Sequence, residues 1–481
     1  LIFIVIILLF VVSCRKDKAP SAGYNGYPYE VAKIFITKCA TSGCHDSKSY
    51  QAAGNLDLSS WDRLFAGTAA GMPVIPYSAD FSYLMYFINA YPELGTTQEP
   101  RMPLNNAPLS KSEVQIIKNW INEGAPSSDG RIYGKNVKNK IYVVNQGCDV
   151  VTVLNAADGK PIRYVKVGTD PNVIESPHRV VVSPDKKFWY VIFLNNNVMQ
   201  KFSTQDDQWL ANIPLSPKAA GWNNVDMKDW NTSFISSDGK RGYAVAWTSQ
   251  GAVACVDLIN HKLLHYLPAL SDPHGVCLNK TEDTLIVTAE KGNYITLIDT
   301  SFQFMYQLSV QPSTPPSDNN QINIHEASLN PFNKDEVWLT CQQSDDIRIF
   351  NLQTHTLQII PTCDYPQTLS WSFLTGKCYV SSPYDTQIFP GSTGCLTIVD
   401  GLTKQFQKIP FVPQGHGIFI SDVSGKIFAA SRNIGGATYP PHHTTNCAGK
   451  NGYLTWLNLF TLQPSGTRVE LSVDPYFIHG H

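Results

Sequence analysis

Six short apolar runs, each opening on an imidazole or amide side chain, recur from residue 178 onward. They are His178-Arg-Val-Val-Val-Ser, Asn231-Thr-Ser-Phe-Ile-Ser, His274-Gly-Val-Cys-Leu-Asn, His325-Glu-Ala-Ser-Leu-Asn, Gln367-Thr-Leu-Ser-Trp-Ser and His416-Gly-Ile-Phe-Ile-Ser. Their first residues are 53, 43, 51, 42 and 49 apart, the spread of four-stranded repeat units. Further pairs of β runs lie between them, such as Gly242-Tyr-Ala-Val-Ala-Trp with Ala252-Val-Ala-Cys-Val-Asp and Thr284-Leu-Ile-Val-Thr-Ala with Tyr294-Ile-Thr-Leu-Ile-Asp. Units of this kind bury their faces only against one another, so they must stack around an axis. A seventh inner strand follows if Pro475-Tyr-Phe-Ile-His479 lies beside Lys140–Val144, tying the end of the repeats to their beginning and leaving no open sheet edge. The spacing predicts a seven-bladed β-propeller over residues 140–481.

Composition agrees with a turn-rich β protein. The chain has 32 Gly and 31 Pro, and only 16% of its residues are charged, against an ordinary ~25%. A formal net charge of −2 with no basic stripe excludes nucleic acid as an expected partner. The Tyr142-Val-Val-Asn and Val151-Thr-Val-Leu runs, with the turns Ser183-Pro184-Asp185 and Ser237-Asp238-Gly239, resemble the YVTN family of propeller repeats.

Residues 1–139 have a different character. Leu1–Val12 is an unbroken apolar run of signal-peptide length, ending in Ser13-Cys14 before the polar Arg15-Lys16-Asp17. This resembles a bacterial lipobox, which implies a signal over 1–14, acylation of Cys14, and a lipid-anchored protein of the cell envelope, periplasmic or on the cell surface. Residues 15–27 read as a tether and 128–139 as a linker.

Between them, the helical pattern of Tyr29–Phe35 runs into Cys39-Ala-Thr-Ser-Gly-Cys44-His45. Two cysteines followed by a histidine are the parts of covalent c-type haem attachment: thioethers from the thiols, and an imidazole to the iron. The usual spacing is two residues; four stand here, with Ser42-Gly43 to turn the longer loop. Downstream come Arg101-Met102-Pro103 and a helix pattern opened by Ser110 and Glu113, a capping box, and stopped by Gly124. Residues 28–127 resemble the cytochrome c domains of planctomycete and Bacteroidetes lipoproteins. That resemblance implies a small all-α cytochrome c domain with one covalent haem c on Cys39, Cys44 and His45, and Met102 as the distal ligand. Met72 and Met85 are its competitors, Met85 within an apolar helix. The fold class expected overall is therefore multidomain: the all-α haem domain, then the all-β propeller.

The polar residues that open the inner strands converge on one mouth of a propeller. His178, Asn231, His274, His325, Gln367 and His416 form the expected ring, and the long last-blade loop adds His442 and His443. Related architectures put a second haem or a copper cluster at such a place: respiratory nitrite reductases and nitrous oxide reductases. Seven-fold geometry works against one ion, however, so the ring is expected to face solvent on one side of the channel, without a tetrahedral metal site and without a second cofactor. Eight cysteines are scattered through the repeats with no CxxC pair; Cys148 and Cys447 fall in corresponding loops of the first and last blades and are expected to pair, with Cys395 as the competitor for Cys447. The leading expectation is electron transfer with a redox protein or small-molecule donor and acceptor, the propeller docking a partner or ligand. The alternatives are an oxidoreductase at the histidine mouth, and a surface binding module with a haem sensor.

Overall fold

A computed structural model describes residues 24–68, 71–318, 322–385, 389, 394–434 and 441–481. Cys14, the signal-like run and most of the tether lie outside these residues. The described chain forms seven four-stranded antiparallel sheets arranged as a β-propeller. Closure joins the last strand to the first strand of the repeats: Ile141, Tyr142 and Val143 of Lys140–Asn145 pair with Gly480, His479 and Ile478 of Pro475–Gly480. Blade 1 thus takes its inner strand from the C-terminus and its other three from the start of the repeats, and blades 2 to 7 follow in order.

The remaining inner strands are Pro177–Val182, Trp230–Ile235, Pro273–Leu278, Ile324–Leu329, Leu369–Ser372 and Gly415–Ser421. Second strands such as Thr284–Ala289 and Glu336–Cys341 are buried almost throughout. They are buried on both faces, each packed between two neighbouring blades, which is why they read as continuous apolar runs. Outer strands such as Met305–Ser309 are largely exposed.

A hydroxyl on the second strand locks successive blades together. Thr288 Oγ1 accepts from Gly275 N (2.7 Å) and donates to His325 O (3.3 Å) in the next blade. Thr340 Oγ1 accepts from Glu326 N (3.1 Å) and donates to Gln367 O (2.8 Å). Ser381 Oγ accepts from Thr368 N (3.4 Å) and donates to His416 O (2.7 Å). Each bond satisfies a backbone group that the inner strand's irregular pairing leaves open.

The N-terminal part corrects the expected fold class. Its α-helices are α1 (Tyr29–Ile34), α2 (Trp61–Leu64), α3 (Tyr83–Ile88) and α4 (Lys111–Asn122), of 6, 4, 6 and 12 residues. Turns and irregular chain make up most of the rest, so there is no distinct all-α cytochrome c domain. The physical reason is local: Pro73, Pro76, Pro92, Pro100, Pro103 and Pro108 interrupt the chain between Gly71 and Ser110, removing donors and ending helices. Helix α4 does carry the capping box, with Ser110 Oγ accepting from Glu113 N and Glu113 Oε2 accepting from Ser110 N at 2.9 Å. Its Ile117, Trp120 and Ile121 pack with Phe35 and the α1 residues in one core.

That core is not separate from the propeller, for Cys148, Val150, Tyr164 and Val473 belong to it. Phe81 stacks on Tyr164 at 4.8 Å and Tyr83 on His443 at 3.7 Å, while Lys160 Nζ donates to Ala66 O at 2.7 Å. Beneath this contact Cys148 and Cys447 form a disulfide across 299 residues, joining blades 1 and 7; Cys395 pairs with Cys363.

Candidate functional site

Two places gather chemistry: the channel end of the inner strands and the loop Cys39–His45. In the channel, the ring residue stands second in six of the seven inner strands: His178, Asn231, His274, His325, His416 and Tyr476. The ladder to the second strand shifts register at or beside each of them. Such a bulge re-aims a side chain, here out of the blade and into the channel. Gln367 lies just ahead of Leu369–Ser372 and accepts from Gln342 Nε2 at 3.0 Å.

The imidazoles are in contact. The rings of His274 and His325 are 3.9 Å apart, those of His325 and His416 6.1 Å. Tyr476 continues the row at 3.8 Å from His416 and 4.2 Å from His178. All four histidines are buried, between 4% and 8% exposed, which corrects the expectation that they face solvent. Burial pushes His274 down to about 3, with Arg179 adding to it against the His325 carbonyl. It holds His178, His325 and His416 well below the ordinary imidazole range, and the neighbouring rings and arginines push the same way. Burial thus favours the uncharged form of all four imidazoles.

Below it the channel is crossed by an ion pair. Arg179, next to His178 on blade 2, reaches Glu326, next to His325 on blade 5, at 2.5 and 3.3 Å. Arg432 is held by Asp474 at 2.6 and 2.8 Å and lies over the Tyr476 ring. At the end of Thr284–Ala289 stands Glu290, only 7% exposed. Burial, with Asp272, pushes its carboxyl up to about 7 despite Lys291 and a bond from Trp247.

His442 and His443 do not join this ring. Glu470 accepts from both of their backbone N–H groups, at 3.0 and 3.1 Å, and Gln98 donates to His442 O at 3.1 Å. Both therefore belong to the contact with the N-terminal segment. Sequence reasoning missed Tyr476, Glu290, Arg179 and Glu326. Tyr476 holds the same register position as the histidines, and Arg179 and Glu326 are charges set directly after a ring histidine in an apolar strand.

In the N-terminal loop, His45 N donates to Cys39 O at 3.2 Å, closing the turn that carries both thiols. His45 Nδ1 donates to Leu56 O at 2.9 Å, which fixes the tautomer and leaves Nε2 with its lone pair. Burial keeps this imidazole below its ordinary value, partly offset by the Leu56 carbonyl and Asp57. Cys39 is buried and Cys44 exposed, both unpaired. Burial pushes Cys39 up to about 12, so it is no reactive thiolate. Met102 is half-buried against the same core as Cys39, its N–H bonded to Phe87 O at 2.8 Å. Met72 and Met85 are 1% and 4% exposed, packed within that core.

A seven-bladed propeller with a polar, histidine-rich channel end is thus the class that the fold defines. No protein-family model matches the sequence, and no curated protein matches it. Among solved structures, the chain is similar to a functionally unknown protein from Desulfotomaculum acetoxidans, at 11% identity and TM-score 0.52, over 71% of this chain and 98% of that one. It is also similar to a provisional 6-phosphogluconolactonase from Bacteroides uniformis, at 12% identity and TM-score 0.51, over 72% of this chain and 100% of that one. At such identities the likeness establishes the fold alone.

Proposed function

We propose that the protein is an electron-transfer protein carrying one covalent haem c on its N-terminal segment, with the propeller as the platform that docks this segment and a redox partner. The observation that carries the reading is the His45 Nδ1 bond to Leu56 O beside two unpaired thiols. An imidazole held through Nδ1 presents Nε2 for iron, the arrangement of a metal-ligating histidine oriented by its outer bond. The donor set fits the group: two thiols for thioethers, a neutral imidazole and a half-buried methionine thioether. When bound, haem c supplies a one-electron iron centre whose potential an axial methionine raises.

The chain's own residues do the rest. A π-helical turn, Phe35–Cys39, continues α1 and ends on Cys39, the closed turn sets Cys44 and His45 after it, and the Leu56 carbonyl orients the ring. The Phe87 carbonyl anchors the Met102 backbone. Phe35, at the start of the π-helical turn, and Trp120 of α4 pack edge to face with ring centres 6.0 Å apart. Acylation at Cys14 and residence in the bacterial cell envelope belong to the same reading; the two disulfides suit an oxidising compartment.

The test is to express the full chain with the cytochrome c maturation machinery and record oxidised and reduced spectra. The expected result is a reversible haem c spectrum that the Cys39→Ser, Cys44→Ser double variant lacks. A colourless product from the matured parent chain would overturn the reading.

A further inference from the structure

Two ring imidazoles are engaged, His178 with Gln146 and His274 with a backbone carbonyl, but His325 is not. His325 Nδ1 and Glu290 Oε2 are buried with no hydrogen-bond partner, in residues 4% and 7% exposed. Buried polar atoms left without a protein partner call for water or an ion to satisfy them. His274 donates Nδ1–H to His325 O at 2.9 Å, which leaves its Nε2 with a free lone pair. One donor atom each from His274, Glu290 and His325 lie within 4.8 Å of one another.

We propose that this closed end of the channel binds one divalent transition-metal ion of the zinc class, held by a nitrogen of His274, a nitrogen of His325 and an oxygen of Glu290. Seven-fold geometry does not stand in the way, because the donors are not spread around the axis. His274 and Glu290 belong to blade 4 and His325 to the adjacent blade 5. Metal–ligand bonds of about 2.0–2.1 Å bring donors within roughly 4 Å of each other, so small side-chain rotations complete the set. Imidazole with carboxylate suits zinc-class ions rather than calcium or magnesium, which take oxygen shells. The bond from His274 Nδ1 to a carbonyl is the outer contact that metal-bound histidines generally make.

Charge favours a cation here. Arg179 is matched by Glu326, Arg432 by Asp474, and Lys291 by Asp272 at 2.9 Å. Glu290, 7% exposed, has no ion pair among the described residues. His416 is a further imidazole, 6.1 Å from the His325 ring. The site is distinct from the haem loop, whose residues lie on the N-terminal segment.

The test uses the full chain, dialysed against zinc or refolded in its presence, with bound zinc counted by elemental analysis separately from iron. The expected result is one zinc per chain, with Glu290→Gln and His325→Asn each weakening binding at least about tenfold while melting like the parent. X-ray absorption at the zinc edge of the parent should give only nitrogen and oxygen neighbours near ~2.0–2.1 Å, a readout that does not depend on the variants folding. Less than a tenth of an equivalent in both preparations, unchanged affinity in both variants, or sulfur in the zinc shell would overturn the proposal.

Discussion

The guanidinium of Arg179 meets the carboxylate of Glu326 across the propeller axis, 2.5 Å apart, from blades 2 and 5. Arg179 also covers the Phe477 ring of blade 1 at 3.8 Å, so one side chain ties three blades at the channel floor. Both partners are poorly exposed, 16% and 6%. Removing one leaves the other as an unmatched buried charge, at a typical ~3–5 kcal/mol. Arg179→Ala and Glu326→Ala should each lower the denaturation midpoint clearly, and the double variant should lose much less than the sum. Additive losses in a double-mutant cycle would mean that the two groups act independently.

Thr340 offers a cleaner test of how blades are coupled. Its hydroxyl takes the Glu326 N–H and gives to Gln367 O, so Thr340→Val strands two buried backbone groups at nearly constant volume. A loss of about 1–3 kcal/mol is expected, measured by denaturant unfolding. A stability within error of the parent would show that the inter-blade bond contributes nothing.

The Cys148–Cys447 disulfide closes a loop of 299 residues at the seam where the ends of the repeat array meet. Cys447→Ser should cost roughly 2–5 kcal/mol. Because both cysteines lie in the core shared with the N-terminal segment, the variant should also cleave faster in that segment on limited proteolysis. Non-reducing peptide mapping that recovers Cys148 and Cys447 as free thiols would contradict the pairing.

The propeller was legible because each blade repeats one physical pattern: a polar residue, an apolar inner strand, and a buried second strand. Tyr476 shows where such reading stops, since one tyrosine in place of a histidine hides the seventh ring position although the register is the same. Glu290 lies outside the repeated strand, and only the fold brings it to His325. The all-α domain failed for a different reason. The capping box of α4 and the α1 pattern are true helix signals, but the prolines between them leave too little helix for a separate bundle, and Phe81 and Tyr83 are spent on the propeller surface. The place of their loop, between second and third strands, points His442 and His443 to the mouth, but the loop folds against the N-terminal segment, where Glu470 and Gln98 hold it.

Met102 distinguishes a distal iron ligand from a packed methionine. Met102→Ala should leave haem attachment intact and abolish the methionine-to-iron absorption band of the oxidised protein. Met72→Leu, a change within the core, should leave that band in place. A band lost in Met72→Leu and kept in Met102→Ala would move the ligand to the other loop.

Covalent haem at the Cys39–His45 loop is decided by one peptide. Trypsin cleaves after Lys38 and Lys48, releasing residues 39–48 with both cysteines and His45. From the protein matured in an envelope that attaches haem, this peptide should have the mass of its chain plus one haem, retained after denaturation and acid extraction. A peptide of bare mass, with its two thiols free or joined to each other, would contradict haem attachment at this loop.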